Sequence, residues 1–251
     1  MSNASAVFED YGRYYDLLYQ DKSYPAEAEY IGSLLKRWEV SGRDLLEFGS
    51  GTGKHGRLLA ERGYRVLGIE RSAEMAARAP TSPGFTCEQG DICGVRVGRS
   101  FDAVLALFHV VSYQASDDNA QAVFARAAEH LRPGGLFLFD VWHAPAVLAQ
   151  QPSIRVKRVQ AGPTKVVRIA EPQMHPERNC VTVNYTLFTS EDNGMQWRST
   201  EESHLMRYFD AEEIEQLCRS KGMRLLGSEE WLTGGRPATS TWGVCYVAQK
   251  E

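Results

Sequence analysis

Between Leu45 and Gly56 the chain reads LLEFGSGTGKHG. Gly51-Thr52-Gly53-Lys54-His55-Gly56 fits G-x-G-x-x-G, a turn where missing side chains let a ligand reach the backbone and the next helix offers partial positive charge at its N-terminus. That spacing alone suits the pyrophosphate of a dinucleotide. Glu47 and Gly49 stand just before it, and a carboxylate at the end of the same strand repels phosphate but favours a ligand carrying an ammonium and a sulfonium. The loop is therefore expected to hold S-adenosylmethionine (SAM), with Glu47, Gly49, Gly51 and Gly53 as contacts.

Glu70 closes the second apolar run, where an acid can accept both ribose hydroxyls, a feature shared by NAD and SAM sites. Asp91, in Gly90-Asp91-Ile92, follows the third run; its carboxylate can accept from an adenine amino group while Ile92 packs on the ring. Arg71, Met75, Leu107 and Phe108 complete the expected cofactor set, although Met75 serves equally as an adenine wall or as core filling. His109 lies just past the fourth run, and its neutral imidazole can take a proton or orient an acceptor amine or hydroxyl. Tyr113, Trp142 and His143 are expected to line an acceptor pocket at the same sheet edge, with Asp140 structural. His55 reads as a helix-start contact. Arg13 suits a methionine carboxylate or solvent, and Glu202, His204 and Arg207 alternate on a face that suits a pocket cap or solvent.

The elements that must position these groups alternate. Strands are expected at Leu45–Phe48, Arg65–Ile69, Gly84–Cys87, Ala103–Phe108 and Leu136–Val141, with helices near Lys54–Arg62, Ala73–Ala79 and Asp118–Leu131. That rhythm implies a doubly wound, Rossmann-like α/β sheet, mostly parallel. Tyrosines and leucines at helical spacing from Phe8 to about Trp38 give two helices broken near Ser23-Tyr24-Pro25. After Pro145, Ile154–Val159, Thr164–Ala170, Cys180–Thr189 and Met195–Phe209 alternate as antiparallel strands of an insert. Ala211–Lys221 reads as a helix capped by Asp210 and ended by Gly222, before a closing hairpin of Met223–Trp231 and Thr241–Ala248 that supplies an antiparallel C-terminal strand. The expected division is one domain: a helical lid at 1–40, a cofactor-binding core at 41–145 and 210–251, and a β insert at 150–209.

Taken together, Glu47-x-Gly49-x-Gly51-x-Gly53, Glu70, Gly90-Asp91-Ile92 and Leu131-Arg-Pro-Gly-Gly135 resemble a class I SAM-dependent methyltransferase. The stretches YYDLLYQDKSYPAEA, LALFHVVSYQ, FLFDVWHAPAVL and ESHLMRYFDAEEIE extend the likeness almost end to end. They are similar to bacterial methyltransferases of polysaccharide clusters and to the N,N-dimethyltransferases of TDP-amino-sugar biosynthesis. The resemblance implies a small-molecule enzyme with Tyr19 and Tyr24 brought over the cofactor and acceptor-side groups after the fourth strand. His109, Tyr19, Tyr113 and His143 are then the catalytic candidates.

With 251 residues and a net charge of −4, the chain has no general attraction for nucleic acid, and no stretch approaches the ~18 apolar residues of a membrane span. Its five scattered cysteines suggest neither disulfide frame nor metal knuckle. A soluble, cytoplasmic enzyme of a small substrate is expected. Arg155, Lys157, Arg158, Lys165 and Arg168 either guard edge strands or meet a diphosphate-linked sugar, and the insert's edges suit a homodimer. The expected reaction is methyl transfer to an amine or hydroxyl of a sugar, nucleotide-linked in the leading reading, with no metal. A non-sugar metabolite, an NAD-dependent oxidoreductase and a non-catalytic SAM-binding module stay open as alternatives.

Overall fold

The computed structural model describes residues 10–251; Phe8, where the first helix was expected to begin, lies outside the described residues. Two N-terminal helices, α1 (Asp10–Leu18) and α2 (Tyr24–Arg37), precede the alternating β1 (Asp44–Phe48), α3 (Lys54–Glu61), β2 (Arg65–Glu70), α4 (Ala73–Ala77), β3 (Phe85–Gln89), β4 (Phe101–Ala106), α5 (Asp117–His130) and β5 (Leu131–His143). A short helix α6 (Ala144–Gln150) leads to β6 (Arg155–Ala161), β7 (Thr164–His175), β8 (Cys180–Ser190) and β9 (Arg198–Phe209); α7 (Ala211–Ser220), β10 (Met223–Glu230) and β11 (Gly243–Lys250) close the chain.

The strands β3-β2-β1-β4-β5 pair in parallel, β11 runs antiparallel along the far side of β5, and β10 pairs with β11. Alternate residues feed two cores. Leu46, Phe48, Val104, Phe137 and Phe139 pack with Phe124 of α5 and Ile214 of α7. Leu45, Val66, Leu105 and Leu138 pack with Ile31 and Leu34 of α2 and Leu59 of α3 on the other face. Central strands buried on both sides need apolar side chains at successive positions, which is why Leu45-Leu46 and Val104-Leu105 read as continuous runs.

The insert is an antiparallel ladder, β6-β7-β8-β9. It joins the main sheet where Trp142 and His143 of β5 pair with Tyr208 and Phe209 of β9, just beyond the last β4 pairing of Ala106 with Phe139. Helix α1 packs Tyr11 and Leu18 against Val166 and Leu187 of this ladder.

Three local features depart from the sequence pattern. Pro145, after which antiparallel strands were expected, instead occupies the first turn of α6, a helix not expected from the sequence, where its missing N–H costs nothing. Strand β7 runs on to His175 through Pro172, because beyond Ala170 it has no β6 neighbour needing that N–H. Strand β9 begins at Arg198 rather than Met195: Ser190 Oγ accepts from Gly194 N at 2.9 Å and Asp192 Oδ1 from Gln196 N at 2.9 Å, which holds the intervening residues in a turn. Asp210 does cap α7, accepting from Glu213 N at 2.8 Å.

Candidate functional site

The glycine loop leaves the C-terminal end of β1 and is fastened to β2 by Gly49 N and Ser50 N, which donate to Ile69 O at 2.8 and 3.1 Å. Gly49 has φ +64°, and a Cβ there would meet Val110 Cγ2 at 2.5 Å, so both backbone and space demand glycine. Gly56 answers to packing, since a Cβ would lie 2.4 Å from the Phe85 ring. Glu70 braces the loop from the neighbouring strand: Oε2 accepts from Gly51 N at 2.9 Å and Oε1 from Ser72 N at 2.8 Å. Its burial pushes the carboxyl up despite those donors.

One continuous cavity of about 410 Å³ opens at the ends of β1, β2 and β4. Tyr19, Tyr24, Gly49, Gly51, Glu70, Arg71, Met75, Asp91, Ile92, Leu107, Phe108, His109 and Tyr113 all line it, so most of the expected residues converge on one space. Glu47, Gly53 and His143 do not line it. Gly53 lies behind the loop against Phe85. His143 is buried at the end of β5, with Nδ1 3.2 Å from Thr241 O, and serves the sheet junction.

Glu47 sits one layer beneath the loop, because its strand position aims the side chain under the first turn of α3. Its Oε1 is 3.7 Å from His55 Nδ1, and His55 Nε2 is 2.6 Å from Glu27 Oε2, with Lys22 contacting the same oxygen of Glu27. Burial, then the charge of Glu70, pushes Glu47 up to about 8. Direct pairing with a ligand ammonium is therefore not its position. His55, expected as a simple helix-start contact, is the centre of this buried column.

Phe108 and His109 both have φ +64°, consecutive non-glycine residues in the left-handed region, a strained arrangement that a surrounding structure must hold. Asp140, on adjacent β5, does so: Oδ2 accepts from His109 N at 3.0 Å and lies 2.6 Å from His109 Nδ1. Asp140 is thus tied to the candidate acceptor-side histidine rather than to the sheet alone. The ring of His109 stands edge-on to Trp142 at 6.3 Å, with its side chain 25% exposed.

The opposite wall comes from the N-terminal helices and the insert. Tyr11, Tyr15 and Tyr19 of the α1 region line the cavity together with Tyr185 of β8 and His204 and Met206 of β9, and the Tyr11 ring packs on Tyr185 at 5.1 Å and on His204 at 5.6 Å. Asp16 latches this lid to the loop, accepting from Thr52 Oγ1 at 2.9 Å and lying 2.9 Å from Lys54 Nζ. Lys22 lies over the Phe108 ring at 4.3 Å. Arg13 pairs with Glu191 at the exposed outer side and takes no part in the cavity wall. Lys54, Gln114, Tyr185 and Met206 are wall residues that sequence spacing did not single out; only Lys54, inside the glycine motif, carried a local signal.

The cavity fits SAM. Bare backbone at Gly49 and Gly51 would admit the amino-acid end, the Glu70 carboxylate that lines the cavity would accept from ribose hydroxyls, and the exposed Asp91 lines the same space as the apolar Ile92 and Met75.

Residues 45–135 match the family model described as a methyltransferase domain. The chain is 31% identical over 224 residues to the dTDP-3-amino-3,6-dideoxy-alpha-D-glucopyranose N,N-dimethyltransferase of Streptomyces fradiae, covering 88% of this chain and 85% of that one. It is 30% identical over 229 residues to the dTDP-3-amino-3,4,6-trideoxy-alpha-D-glucopyranose N,N-dimethyltransferase of Streptomyces venezuelae, covering 90% and 93%. The crystal structure of Streptomyces venezuelae DesVI superposes with a TM-score of 0.81 at 27% identity, over 97% of this chain and 99% of that one. The chain belongs to this family of methyltransferases and is a SAM-dependent enzyme with the Rossmann-like fold.

Proposed function

We infer that the chain methylates an amine of a nucleotide-linked amino sugar. The observation that carries this reading is the single cavity in which the cofactor loop, His109 and a wall of tyrosines face one another. The relatives named above, which act on dTDP-amino sugars, support the acceptor class.

SAM supplies a methyl group on a sulfonium that is already a good leaving group. What the protein contributes is alignment and exclusion of water. Glu70, Asp91, Gly49 and Gly51 hold the cofactor end; Tyr19 and Tyr24 close over it from the lid. His109, fixed by Asp140, orients the acceptor amine and accepts from it, so that the nitrogen lone pair faces the methyl group. We assign these tasks to the lid expected at 1–40, of which 10–40 are described, the core of 41–145 and 210–251 and the insert of 150–209. The basic residues of β6 and β7 suit the diphosphate.

The test is incubation with SAM and a dTDP-amino-hexose, read by mass spectrometry for one and two added methyl groups. Methylated sugar supports the reading; tight SAM binding without methylation across amino- and hydroxy-sugars sinks it. Among the described residues no helix is long and apolar enough to cross a membrane. We place the enzyme in the cytoplasm. The edge of β6 that no other strand pairs with among the described residues, with Val156 48% exposed, suits a homodimer, and a monomeric mass by light scattering would exclude it.

A further inference from the structure

The insert brings to the cavity a second set of polar side chains that the His109 reading leaves without a task. Glu202 and His204 are two apart on β9 and share a face. His204 is buried among the rings of Tyr11, Tyr113 and Tyr185, with centroids at 5.6, 5.7 and 4.8 Å. An imidazole in such a box is costly unless its nitrogens are bonded. Tyr113 Oη lies 3.0 Å from Nδ1, and Glu202 Oε2 lies 3.2 Å from Nε2. The other oxygen of Glu202 accepts from Tyr11 N at 2.8 Å, which fixes the carboxylate. A carboxylate at Nε2 selects the Nε2–H tautomer, so Nδ1 accepts from the Tyr113 hydroxyl. Burial pushes the Tyr113 phenol well above its ordinary value, which keeps it a neutral hydroxyl, able to pass a proton but not to stand as a phenolate.

We propose that Tyr113, His204 and Glu202 form a proton path leading out of the acceptor site, with Tyr113 the catalytic residue and His204 and Glu202 positioning residues behind it. This rests on the amine reading above. The acceptor ammonium gives one proton to Tyr113 Oη as the Tyr113 hydroxyl proton passes to His204 Nδ1. The N–H electron pair stays on nitrogen as the nucleophilic lone pair, and the imidazolium formed faces the Glu202 carboxylate. A dimethylation needs this twice, because the singly methylated product is again an ammonium. Between the two transfers the imidazolium gives its Nε2 proton to the carboxylate of the half-buried Glu202 and from there to solvent. The remaining Nδ1 proton then returns to Tyr113 Oη as that hydroxyl gives its own proton up to solvent and Nε2 takes one back through Glu202, which resets the pair. Among the described residues, the titratable and charged groups facing His204 are Tyr11 on α1, Tyr113 before α5, Tyr185 on β8 and Glu202 on β9. Arg168 of β7 stands behind them, 2.9 Å from Tyr11 Oη and 5.5 Å from the Tyr185 ring.

Two measurements on the full chain decide it. Nitrogen NMR of the histidine side chains with S-adenosylhomocysteine bound, assigned through His204→Gln, is expected to show His204 as the Nε2–H tautomer, with Nδ1 responding to Tyr113→Phe. The Nδ1–H tautomer, or no response, overturns the path whatever the acceptor. In turnover with an amino-sugar nucleotide, Tyr113→Phe and His204→Gln are expected to lower kcat about 100-fold near neutral pH with KM for SAM unchanged. The deficit is expected to shrink at high pH, where the amine arrives already deprotonated. A deficit equal at every pH means a structural role only and rejects the path. Wild-type inactivity on every amino sugar, with the expected tautomer intact, rejects the acceptor reading and not the path.

Discussion

His55 Nε2 stands 2.6 Å from Glu27 Oε2, which ties the helix opening the glycine loop to the second helix of the lid. Burial works against the Glu27 carboxylate, yet the contacts of His55 and Lys22 outweigh it and hold Glu27 below the usual carboxylate range. Burial itself lowers His55. Removing one partner of a buried pair strands the other, so Glu27→Gln is expected to cost about 3 kcal/mol in chemical denaturation. Both shifts make acid destabilising: the stability held by Glu27 is present above the ordinary carboxylate range and lost as pH falls through its lower folded value. Below the ordinary imidazole range, only the unfolded chain readily takes the His55 proton. A variant melting like the parent at pH 6 would show that the column carries no load.

Glu47 should act in the opposite sense. Pushed up to about 8 in the folded chain, it favours folding relative to its ionised state below the ordinary carboxylate value, and that advantage disappears as pH rises through about 8. Glu47→Gln removes the titration. The ligand-free variant is therefore expected to gain several degrees in melting temperature over the parent at pH 8.5, with little difference at pH 4.5. Parallel profiles across that interval would refute the assignment.

Glu70 joins the loop, the start of α4 and the cofactor opening through one carboxylate. Glu70→Ala releases Gly51 N and Ser72 N and deletes the proposed ribose acceptor, and about a 100-fold weaker SAM affinity is expected by calorimetry, or roughly 2.7 kcal/mol. Unaltered affinity would move the ribose elsewhere.

His109→Ala and Asp140→Asn should separate turnover from binding. The first is expected to lower kcat by about 100-fold or more with SAM affinity nearly unchanged. Asp140→Asn keeps an acceptor for His109 N while removing the carboxylate charge, so its kcat is expected between parent and His109→Ala. Full activity in His109→Ala with every accepted substrate removes it from the mechanism.

Gly49→Ala tests the loop itself. The left-handed φ and the 2.5 Å approach to Val110 predict loss of at least about 1–2 kcal/mol and weaker SAM binding; a neutral effect in both would mean the loop relaxes freely.

The parallel core was legible because its strands are buried on both faces and each apolar run ends at a turn or cap. The glycine loop, Glu70 and Asp91 were legible because each ends a strand at the same edge. A motif gives position but not direction, which is why Glu47 read as a ligand contact when it points beneath the loop. His109 and Asp140 were seen separately; their contact exists because β4 and β5 are neighbours, a pairing that no local spacing states. Tyr185 and Met206 were invisible for a similar reason. They reach the cavity only after two strands of the insert fold back against the lid, and alternation along a strand does not say what lies opposite. The aromatic spacing of α1 was plain, but not that Tyr11 and Tyr15 on that helix line the cavity.

Among the described residues, the insert's ladder meets the main sheet at two residue pairs, Trp142 with Tyr208 and His143 with Phe209. The parallel strands that carry the glycine loop are thus joined to the insert's ladder by strand pairing at that narrow seam, and otherwise by side-chain packing such as that of Tyr11 and Leu18 of α1 on Val166 and Leu187. Descendants of such a chain can rewrite which acceptor is taken by substitution along β8 and β9, leaving the methyl-donor half untouched, so that donor and acceptor specificity are free to evolve at different speeds.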